Sequence, residues 1–209
     1  MKAAIFASGD FKETKVIRQA IGAADFFIAA DGGYSSLKKL GITPDVLIGD
    51  RDSLNEDFGE IFHIDYPTHK DMTDSELAIR YALDKGTTSI SLFGATGTRL
   101  DHTLNNIFIL GIPFKKKVPA AILSEHNIIT MVEGGYLYNK ADYEDYKYFS
   151  LVPIDEGVFV TMKGFEYEVE DLGLRYSDYT GISISNRLIE NEARLSVRGG
   201  RCLAIFSRD

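Results

Sequence analysis

The chain has 209 residues, 44% of them hydrophobic and 26% charged, a composition typical of a globular protein with one large or two small domains. Its formal net charge of −8, with no basic block larger than Lys115–Lys117, argues against a nucleic-acid partner. The single cysteine, Cys202, excludes an internal disulfide framework, and no apolar run is long enough to span a membrane, so we expect a cytoplasmic protein.

Residues 1–135 alternate short apolar runs with longer segments of helical spacing. Six runs are predicted strands: Ala3–Ala7, Phe26–Ala30, Val46–Ile48, Ile61–Ile64, Ser89–Phe93 and Ala120–Leu123. A repeated order of strand, helix and strand is typical of a parallel sheet covered by helices. The sequence therefore predicts an α/β domain, Rossmann-like, with a mainly parallel sheet.

Two of the intervening segments carry clear helix signals. The segment "TDSELAIRYALDKG" opens with a capping box formed by Thr73 and Glu76 and stops at Gly86. The segment "LDHTLNNIFIL" places four apolar residues on one stripe of a helix: Leu100, Leu104, Ile107 and Phe108.

The pattern changes after about residue 135. The segment "YLYNKADYEDYKYF" is rich in tyrosine and acidic residues and is predicted to be a connector. Short segments divided by turn signals follow it: "FSLVPID", "GVFVTMKG", "YEVEDLGL", "GISISNRL", "ARLSVRGG" and "RCLAIFSRD". This spacing is typical of an antiparallel β-sandwich, so we predict two domains, residues 1–135 and 136–209.

The stretch "IGDRDSL" places two carboxylates, Asp50 and Asp52, at the end of a predicted strand. In extended backbone they point to the same side, with Cα atoms about 6.5 Å apart. Paired hard oxygen ligands suit Mg²⁺, which takes one or two carboxylates and leaves other positions for phosphate and water. The alternative is a helix start, because Ser53 and Glu56 fit a capping box.

The other predicted strands also end in aspartate or glycine. In an open α/β sheet ligands bind at this edge, so these residues indicate a metal and phosphate site. They fall into three groups: Asp31-Gly32-Gly33, then Lys70-Asp71 with Thr73-Asp74, then the loop "GATGTRLDH" from Gly94 to His102.

The loop "GATGTR" lies between a strand and a helix, where backbone N–H groups can cradle an anion. Gly94 and Gly97 permit close approach of the backbone, and Arg99 can hold a phosphate through two donors. The alternative is an ordinary glycine-rich turn with Arg99 in solvent. Asp101 begins the next helix, and Asn105 follows one turn later on the same side.

Taken together, these motifs resemble those of the thiamine pyrophosphokinase family, which transfers a pyrophosphoryl group from ATP to thiamine. The resemblance rests on an ordered set that covers nearly the whole chain: "DGG", "GDRDS", "KDMTDSE", "GATGTRLDH", "GISISN" and "FSRD". It implies an α/β domain that binds ATP and Mg²⁺, a β-sandwich that binds thiamine, and a homodimer with sites at the subunit interface.

The resemblance also implies roles for individual residues. Mg²⁺ is expected on Asp50 and Asp52 with Asp71 or Asp74, and either Asp74 or Asp101 orients or deprotonates the thiamine hydroxyl. Arg99 is expected to stabilise the transferred oxygens, and Ser185 and Asn186 to hydrogen-bond the aminopyrimidine. The expected ATP contacts are Asp31, Gly32, Gly33, Lys70, Thr73, Gly94, Thr96, Gly97, Arg99 and Asn105.

Three positions depart from the family pattern. Arg51 stands where an apolar or aromatic residue is usual, Thr98 replaces a glycine, and Arg187-Leu188 follow Asn186 where an aromatic residue is common. Two other functions stay open at this point. One is a DxD phosphatase with an aspartyl-phosphate intermediate, and the other is a non-catalytic protein that binds a nucleotide or thiamine.

Overall fold

The computed structural model describes residues 1–49, 61–65, 72–177, 181 and 183–209. The chain forms two compact units, Met1–Glu125 and His126–Asp209. The predicted boundary after residue 135 falls inside one continuous strand of the second unit, Asn127–Asn139. Because this strand pairs along its length with the last strand of the chain, the second unit includes it from its first residue.

The described part of the first unit contains six parallel strands: β1 (Lys2–Phe6), β2 (Phe26–Ala30), β3 (Val46–Gly49), β4 (Phe62–Asp65), β5 (Ser89–Phe93) and β6 (Ala120–Leu123). Their order across the sheet is β6-β5-β1-β2-β3-β4, and every neighbouring pair is parallel. The predicted α/β fold is confirmed. Since β1 lies between β2 and β5, the direction of the strand order reverses there, which makes the edge of β1 and β5 the switch point of the sheet.

Five helices occur among the described residues: α1 (Lys15–Gly22), α2 (Gly33–Lys39), α3 (Asp74–Asp84), α4 (Leu100–Ile109) and α5 (Gly111–Lys115). In α3 the Thr73 hydroxyl accepts from the N–H of Glu76 at 3.3 Å, and Gly86 follows the helix with φ +74°. Both ends of the predicted helix are therefore confirmed. Within the described residues, we find no helix with the length and apolarity needed to cross a bilayer.

The apolar stripe predicted on α4 faces outward. Leu100, Leu104 and Phe108 are 66%, 45% and 58% exposed. The opposite side carries the buried Asn106, whose amide donates to the carbonyl of Ala95 at 2.8 Å. The buried side of the helix thus combines this polar contact with the apolar Ile109, and three of the four predicted stripe residues stay accessible to solvent.

The second unit is an antiparallel β structure, as predicted. Its described strands are β7 (Asn127–Asn139), β8 (Tyr148–Pro153), β9 (Val158–Lys163), β10 (Val169–Leu174) and β11 (Glu192–Ser207). Strand β11 pairs with β7 on one side and with β9 and then β8 on the other. Strand β10 pairs with β9.

Three local predictions in this unit need correction. The segments "ARLSVRGG" and "RCLAIFSRD" form one strand, β11, whose register shifts between Val197 and Cys202. The segment "GISISNRL" makes only isolated bridges, at Asn186 and Leu188. The predicted connector contains the end of β7, a 3₁₀ turn at Lys140–Tyr143 and the start of β8.

The long ladder of β7 and β11 folds over on itself. Tyr138 lies opposite Ala193, whereas Phe206 lies opposite Ile128, ten residues away along β7. A straight strand would separate these positions by about 33 Å. The rings of Tyr138 and Phe206 are nevertheless 5.2 Å apart, and both pack on Phe149. The core of the second unit is therefore an aromatic cluster enclosed by the two halves of the folded ladder.

Candidate active site

The switch point of the first unit opens into a cleft of about 380 Å³. Open parallel sheets bind ligands at this place because the loops after neighbouring strands diverge there. The described lining consists of residues 7–10 after β1, 30–31 after β2, 73–75 at the start of α3, 94–99 after β5, and His102, Thr103 and Asn106 of α4. The edge predicted from the sequence is therefore the edge that carries the cleft.

Close backbone contact between the loops after β1 and β5 shapes the cleft. Gly9 donates to the carbonyl of Gly94 and Asp10 to that of Thr96, both at 2.7 Å. A Cβ atom at Gly9 would lie 2.3 Å from the carbonyl oxygen of Thr96. Gly94 has φ +59°, and a Cβ there would lie 2.4 Å from the carbonyl oxygen of Ala7. Both positions require glycine.

The segment Ser8-Gly9-Asp10 is part of the site, although the sequence analysis did not include it. The available signal was the same rule used for the other strands, since these residues directly follow the buried strand β1. The serine hydroxyl donates to Oδ2 of Asp31 at 3.0 Å. The loop after β1 therefore adds polar residues to the loops that were predicted to form the site.

Asp31 has an unusual conformation at the end of β2. Its φ is +49°, and its N–H donates to the carbonyl of Ile48 at 2.8 Å. Its Oδ1 atom is buried and has no hydrogen-bond partner among the described residues. A buried carboxylate oxygen needs a donor or a cation, so Asp31, which was predicted as an ATP contact, is also suited to meet a donor or a cation in the cleft.

The two glycines after Asp31 allow close packing on the end of β1. A Cβ atom at Gly33 would lie 1.9 Å from the carbonyl oxygen of Phe6, and one at Gly32 would lie 3.1 Å from the hydroxyl of Ser8. Gly33 begins α2 and Gly32 caps it. Both glycines therefore place the loop against β1, and neither is among the described lining residues of the cleft.

Two side chains of α4 form hydrogen bonds with the backbone of the loop "GATGTR". Asn106 donates to the carbonyl of Ala95 at 2.8 Å, and the hydroxyl of Thr103 accepts from the N–H of Gly97 at 3.3 Å. Thr96 and Gly97 both line the cleft. The loop is therefore a fixed rim of the cleft, held by two side chains of the helix that follows it.

Arg99 and Asp101 form a pair at the start of α4. Nη2 of the arginine lies 2.5 Å from Oδ2 of the aspartate, and Nε lies 3.2 Å from Oδ1. The hydrogen bond raises the pKa of Arg99 and lowers the pKa of Asp101. Both side chains are about two-thirds exposed. Arg99 lines the cleft and Asp101 does not, so a phosphate bound by Arg99 would replace Asp101 as its partner.

The start of α3 contributes Thr73 and Asp74 to the cleft. The hydroxyl of Thr73 accepts from the side-chain amide of Asn105 at 3.2 Å. Asn105 itself is not among the described lining residues, whereas its neighbour Asn106 is. Of these two asparagines, the structure thus brings Asn106 to the cleft and uses Asn105 to connect α4 with the cap of α3.

Four residues of the predicted site, Asp50, Asp52, Lys70 and Asp71, lie outside the described residues, as does the capping box at Ser53. Within the described ranges, no three histidine, cysteine, aspartate or glutamate side chains are close enough to hold a metal ion. The described cleft supplies three carboxylates, from Asp10, Asp31 and Asp74. These hard oxygen donors are compatible with Mg²⁺, and its assignment to Asp50 and Asp52 stays a prediction.

The predicted thiamine residues lie in the second unit and differ in exposure. Ser185 is exposed, has φ +61° and donates its N–H to the hydroxyl of Ser150 at 3.0 Å. Asn186 is 3% exposed, and its side chain is hydrogen-bonded within the unit. Tyr167, which is hydrogen-bonded to Asn186, is 64% exposed. Tyr167 had no signal in the sequence, because the hydrogen bonds that bring it to Asn186 span 19 positions of the chain.

The second unit also carries an open groove of about 780 Å³. Its described lining includes both basic and acidic side chains: Lys163, Glu168, Glu190 and Arg194. Gly164 makes one close backbone contact there, but the lining has no counterpart of the buried, unpartnered carboxylate oxygen of Asp31. We therefore place the candidate active site in the cleft of the first unit, despite the larger volume of the groove.

An open parallel sheet with a glycine-rimmed cleft at its switch point defines a doubly wound α/β protein, here followed by an antiparallel β unit. Family profiles agree with this division. The profile "Thiamin pyrophosphokinase, catalytic domain" matches residues 17–122, and "Thiamin pyrophosphokinase, vitamin B1 binding domain" matches residues 138–202. The chain therefore belongs to the thiamin pyrophosphokinase family.

Individual relatives support the assignment. The thiamine pyrophosphokinase of Bacillus subtilis (strain 168) is 31% identical over 191 residues, covering 88% of this chain and 87% of the relative. A crystal structure of the Bacillus subtilis enzyme matches with a TM-score of 0.87 and 28% identity over the whole of both chains. The enzyme of Candida albicans has the same fold, with a TM-score of 0.81 at 16% identity, covering all of this chain and 89% of that one.

Proposed function

We propose that this protein transfers the pyrophosphoryl group of ATP to the hydroxyl of thiamine, giving thiamine diphosphate and AMP. The observation that carries the proposal is the match of both family profiles, in order, to the two units of the chain. The glycine-rimmed cleft adds support, because close backbone approach is what phosphate binding requires. The family assignment does not favour the phosphatase alternative.

The proposed chemistry depends mainly on positioning. ATP lies along the cleft with its phosphates between the loop Gly94–Arg99 and Asp31, and the thiamine hydroxyl attacks the β-phosphorus in line while AMP leaves. Arg99 exchanges Asp101 for phosphate oxygens, since a phosphate, like a carboxylate, offers two acceptor oxygens to the two guanidinium donors. Asp74 or the released Asp101 then accepts or orients the hydroxyl proton.

We assign Mg²⁺ to Asp50 and Asp52, with Asp71 or Asp74 as a further ligand. When bound, the ion would neutralise charge on the phosphates, which lowers the barrier to attack by a hydroxyl. The described carboxylates Asp10 and Asp31 line the same cleft. Asp50→Asn or Asp52→Asn should lower turnover by orders of magnitude with little change in melting temperature, and near-normal activity at limiting Mg²⁺ would contradict the assignment.

The first experiment is an assay of AMP release from ATP, with and without thiamine. The proposed function predicts AMP in equal amount to thiamine diphosphate, and none without thiamine. A non-catalytic nucleotide or thiamine sensor would bind its ligand without forming AMP. A phosphatase would instead release phosphate from simple phosphomonoesters. The three functions therefore give different products in one set of reactions.

We also propose a cytoplasmic homodimer whose sites take the metal end from one subunit and the thiamine end from the other. Mixing Asp52→Asn with a Ser185→Ala, Asn186→Ala double variant tests this arrangement. In a mixed dimer one site contains the substitutions of both variants, and the other site contains no substitution. With random pairing, about a quarter of wild-type activity should return. No recovery, despite independently demonstrated subunit exchange, would contradict shared sites and leave the chemistry untouched.

A further inference from the structure

Asn186 occupies a buried position where three segments of the second unit meet. Its backbone N–H and carbonyl exchange hydrogen bonds with those of Phe149 in β8, at 2.9 and 2.7 Å. On the other side, its side chain reaches the turn between β9 and β10. Only 3% of the residue is exposed, although the preceding residue, Ser185, is exposed.

The side-chain amide of Asn186 uses all of its hydrogen-bonding positions within the protein. Oδ1 accepts from the N–H groups of Tyr167 and Arg187, at 3.0 and 2.8 Å. Nδ2 donates to the carbonyl of Tyr167 at 2.8 Å and to the sulfur of Met162 at 3.9 Å. An amide has two acceptor and two donor positions, so none is left for a substrate. The reverse orientation would oppose an NH₂ group to two N–H groups, so the partners fix the orientation.

These bonds hold the turn that carries the exposed Tyr167. Tyr167 is bonded through both its N–H and its carbonyl. Its turn is closed by Glu168, whose carboxylate accepts from the N–H of Gly164 at 2.7 Å. Ser185 is held at φ +61°, a conformation that a serine keeps only when its surroundings impose it. The exposed Tyr167 therefore depends on the side chain of Asn186 for its place, whereas the backbone N–H of Ser185 donates to the hydroxyl of Ser150.

We propose that Asn186 is a positioning residue of the thiamine site: its side chain holds Tyr167 and the backbone of Arg187 in place and does not itself contact the substrate. The inference rests on the proposed function, and it replaces the expectation that Asn186 hydrogen-bonds the aminopyrimidine. Removing the amide leaves both backbone polar groups of Tyr167 and the N–H of Arg187 without their partner. The turn then loosens, which weakens thiamine binding and leaves the ATP cleft of the first unit unchanged.

The kinetic test compares Asn186→Ala with the wild type and with Asn139→Ala. Asn139 is exposed and makes one long hydrogen bond, to Asp142 at 3.4 Å, so its variant should behave as the wild type. For Asn186→Ala we expect the KM for thiamine to rise about tenfold or more. The kcat should stay within about threefold and the KM for ATP should not change. An unchanged KM for thiamine would overturn the proposal.

A substrate analogue separates positioning from contact. The analogue carries a hydroxyl in place of the amino group of the pyrimidine, and the measured quantity is the ratio of kcat/KM for thiamine to kcat/KM for the analogue. A residue that contacts the amino group loses this discrimination when it is removed, as in a double-mutant cycle. Positioning predicts the same ratio in Asn186→Ala and the wild type within about twofold. A ratio near one in the variant would show direct contact and overturn the proposal.

Asn186→Ser is a milder second variant, because its hydroxyl can still bond one of the released backbone groups. We expect its KM for thiamine to lie between those of the wild type and Asn186→Ala, with the same ratio for the analogue. A changed ratio in this variant also contradicts the proposal, even if the alanine variant fails to fold. Failure of the proposed function itself looks different, because the wild type would then form no AMP with thiamine.

Discussion

Replacing Gly9 with alanine tests whether contact between two loops builds the cleft. The new Cβ atom would lie 2.3 Å from the carbonyl oxygen of Thr96 and 2.5 Å from that of Gly94. Both neighbours are backbone atoms, so one loop must move. That movement breaks or lengthens the two 2.7 Å hydrogen bonds that join the loops, from Gly9 to Gly94 and from Asp10 to Thr96.

The expected cost follows from these contacts. Overpacking of a close contact costs about 1–3 kcal/mol, and each lost hydrogen bond costs about 0.5–1.5 kcal/mol. Because relaxation of the loops relieves part of the clash, we expect Gly9→Ala to lower the free energy of unfolding by about 2–4 kcal/mol. This is less than the total stability of a typical domain, so the variant should remain folded. The KM for ATP should rise about tenfold or more, since displacement of positioning groups by about 1 Å has large effects.

The assay is urea unfolding followed by circular dichroism, together with steady-state kinetics at varied ATP. Gly22→Ala is the matched control, because no atom lies within 4 Å of its added Cβ and the residue ends helix α1. Alanine there should be neutral or stabilise by up to about 1 kcal/mol. Wild-type stability and ATP kinetics in Gly9→Ala would refute the role given to the contact between the two loops.

Three further results are expected. The Arg201 guanidinium lowers the pKa of Asp155, so the pair stabilises the fold above the unfolded carboxyl value of about 3.9, and this stability is lost as pH falls through the lower folded value. Asp155→Asn should therefore cost about 0.5–1 kcal/mol in urea unfolding at pH 7, a small value because the partly exposed pair is screened, and this cost should shrink as pH falls below about 3.9. Burial raises the pKa of the Cys202 thiol to about 12. A disulfide reagent at pH 8 should therefore modify this thiol only after the protein unfolds, and rapid reaction of the native protein would contradict the burial of Cys202. Phe108→Ser should lower the free energy of unfolding by less than about 1 kcal/mol, because the side chain is exposed. Loss of a phenylalanine from a core costs about 3–5 kcal/mol, and a loss of that size here would mean that the apolar stripe of α4 is packed in an interface.

Much of the first unit could be predicted from the sequence because its signals are local. Strands β2, β5 and β6 have the predicted bounds, and helix α3 has the predicted cap and stop. The rule that ligands bind at the carboxyl ends of the strands then located the cleft, because in a parallel sheet all of these ends lie along the same edge. The direction of the α4 stripe was not predictable, because it depends on the bond between Asn106 and the loop after β5.

The second unit was harder to predict because its site lies in irregular backbone. The segment "GISISNRL" has the alternation of a strand, yet it forms only isolated bridges. Its shape comes from the buried amide of Asn186, whose partners stand up to 24 positions away in the sequence. Neither hydrophobic periodicity nor a turn motif in the sequence indicates a contact between such distant positions. The sequence therefore predicted a strand where the described residues form irregular backbone, and its assignment of thiamine binding to this segment stays a prediction.

A positive φ that has no local structural cause distinguishes two residues of the proposed sites. Four residues other than glycine have positive φ in the described chain: Asp31, Lys117, Asp171 and Ser185. Lys117 follows the end of α5, where a left-handed residue is common, and Asp171 lies in the register shift of β10. Asp31 and Ser185 have no such local cause.

These two unexplained positions coincide with the two ends of the proposed reaction. Asp31 lines the cleft with a buried oxygen that lacks a described partner, and Ser185 is exposed beside the predicted thiamine residue Asn186. A left-handed residue of this kind costs about 1–2 kcal/mol, which the surrounding structure must supply. A fold that needed only to be stable would place glycine at both sites. The retention of side chains there, against that cost, is the reason to regard the hydroxyl of Ser185 and the carboxylate of Asp31 as groups that meet a substrate.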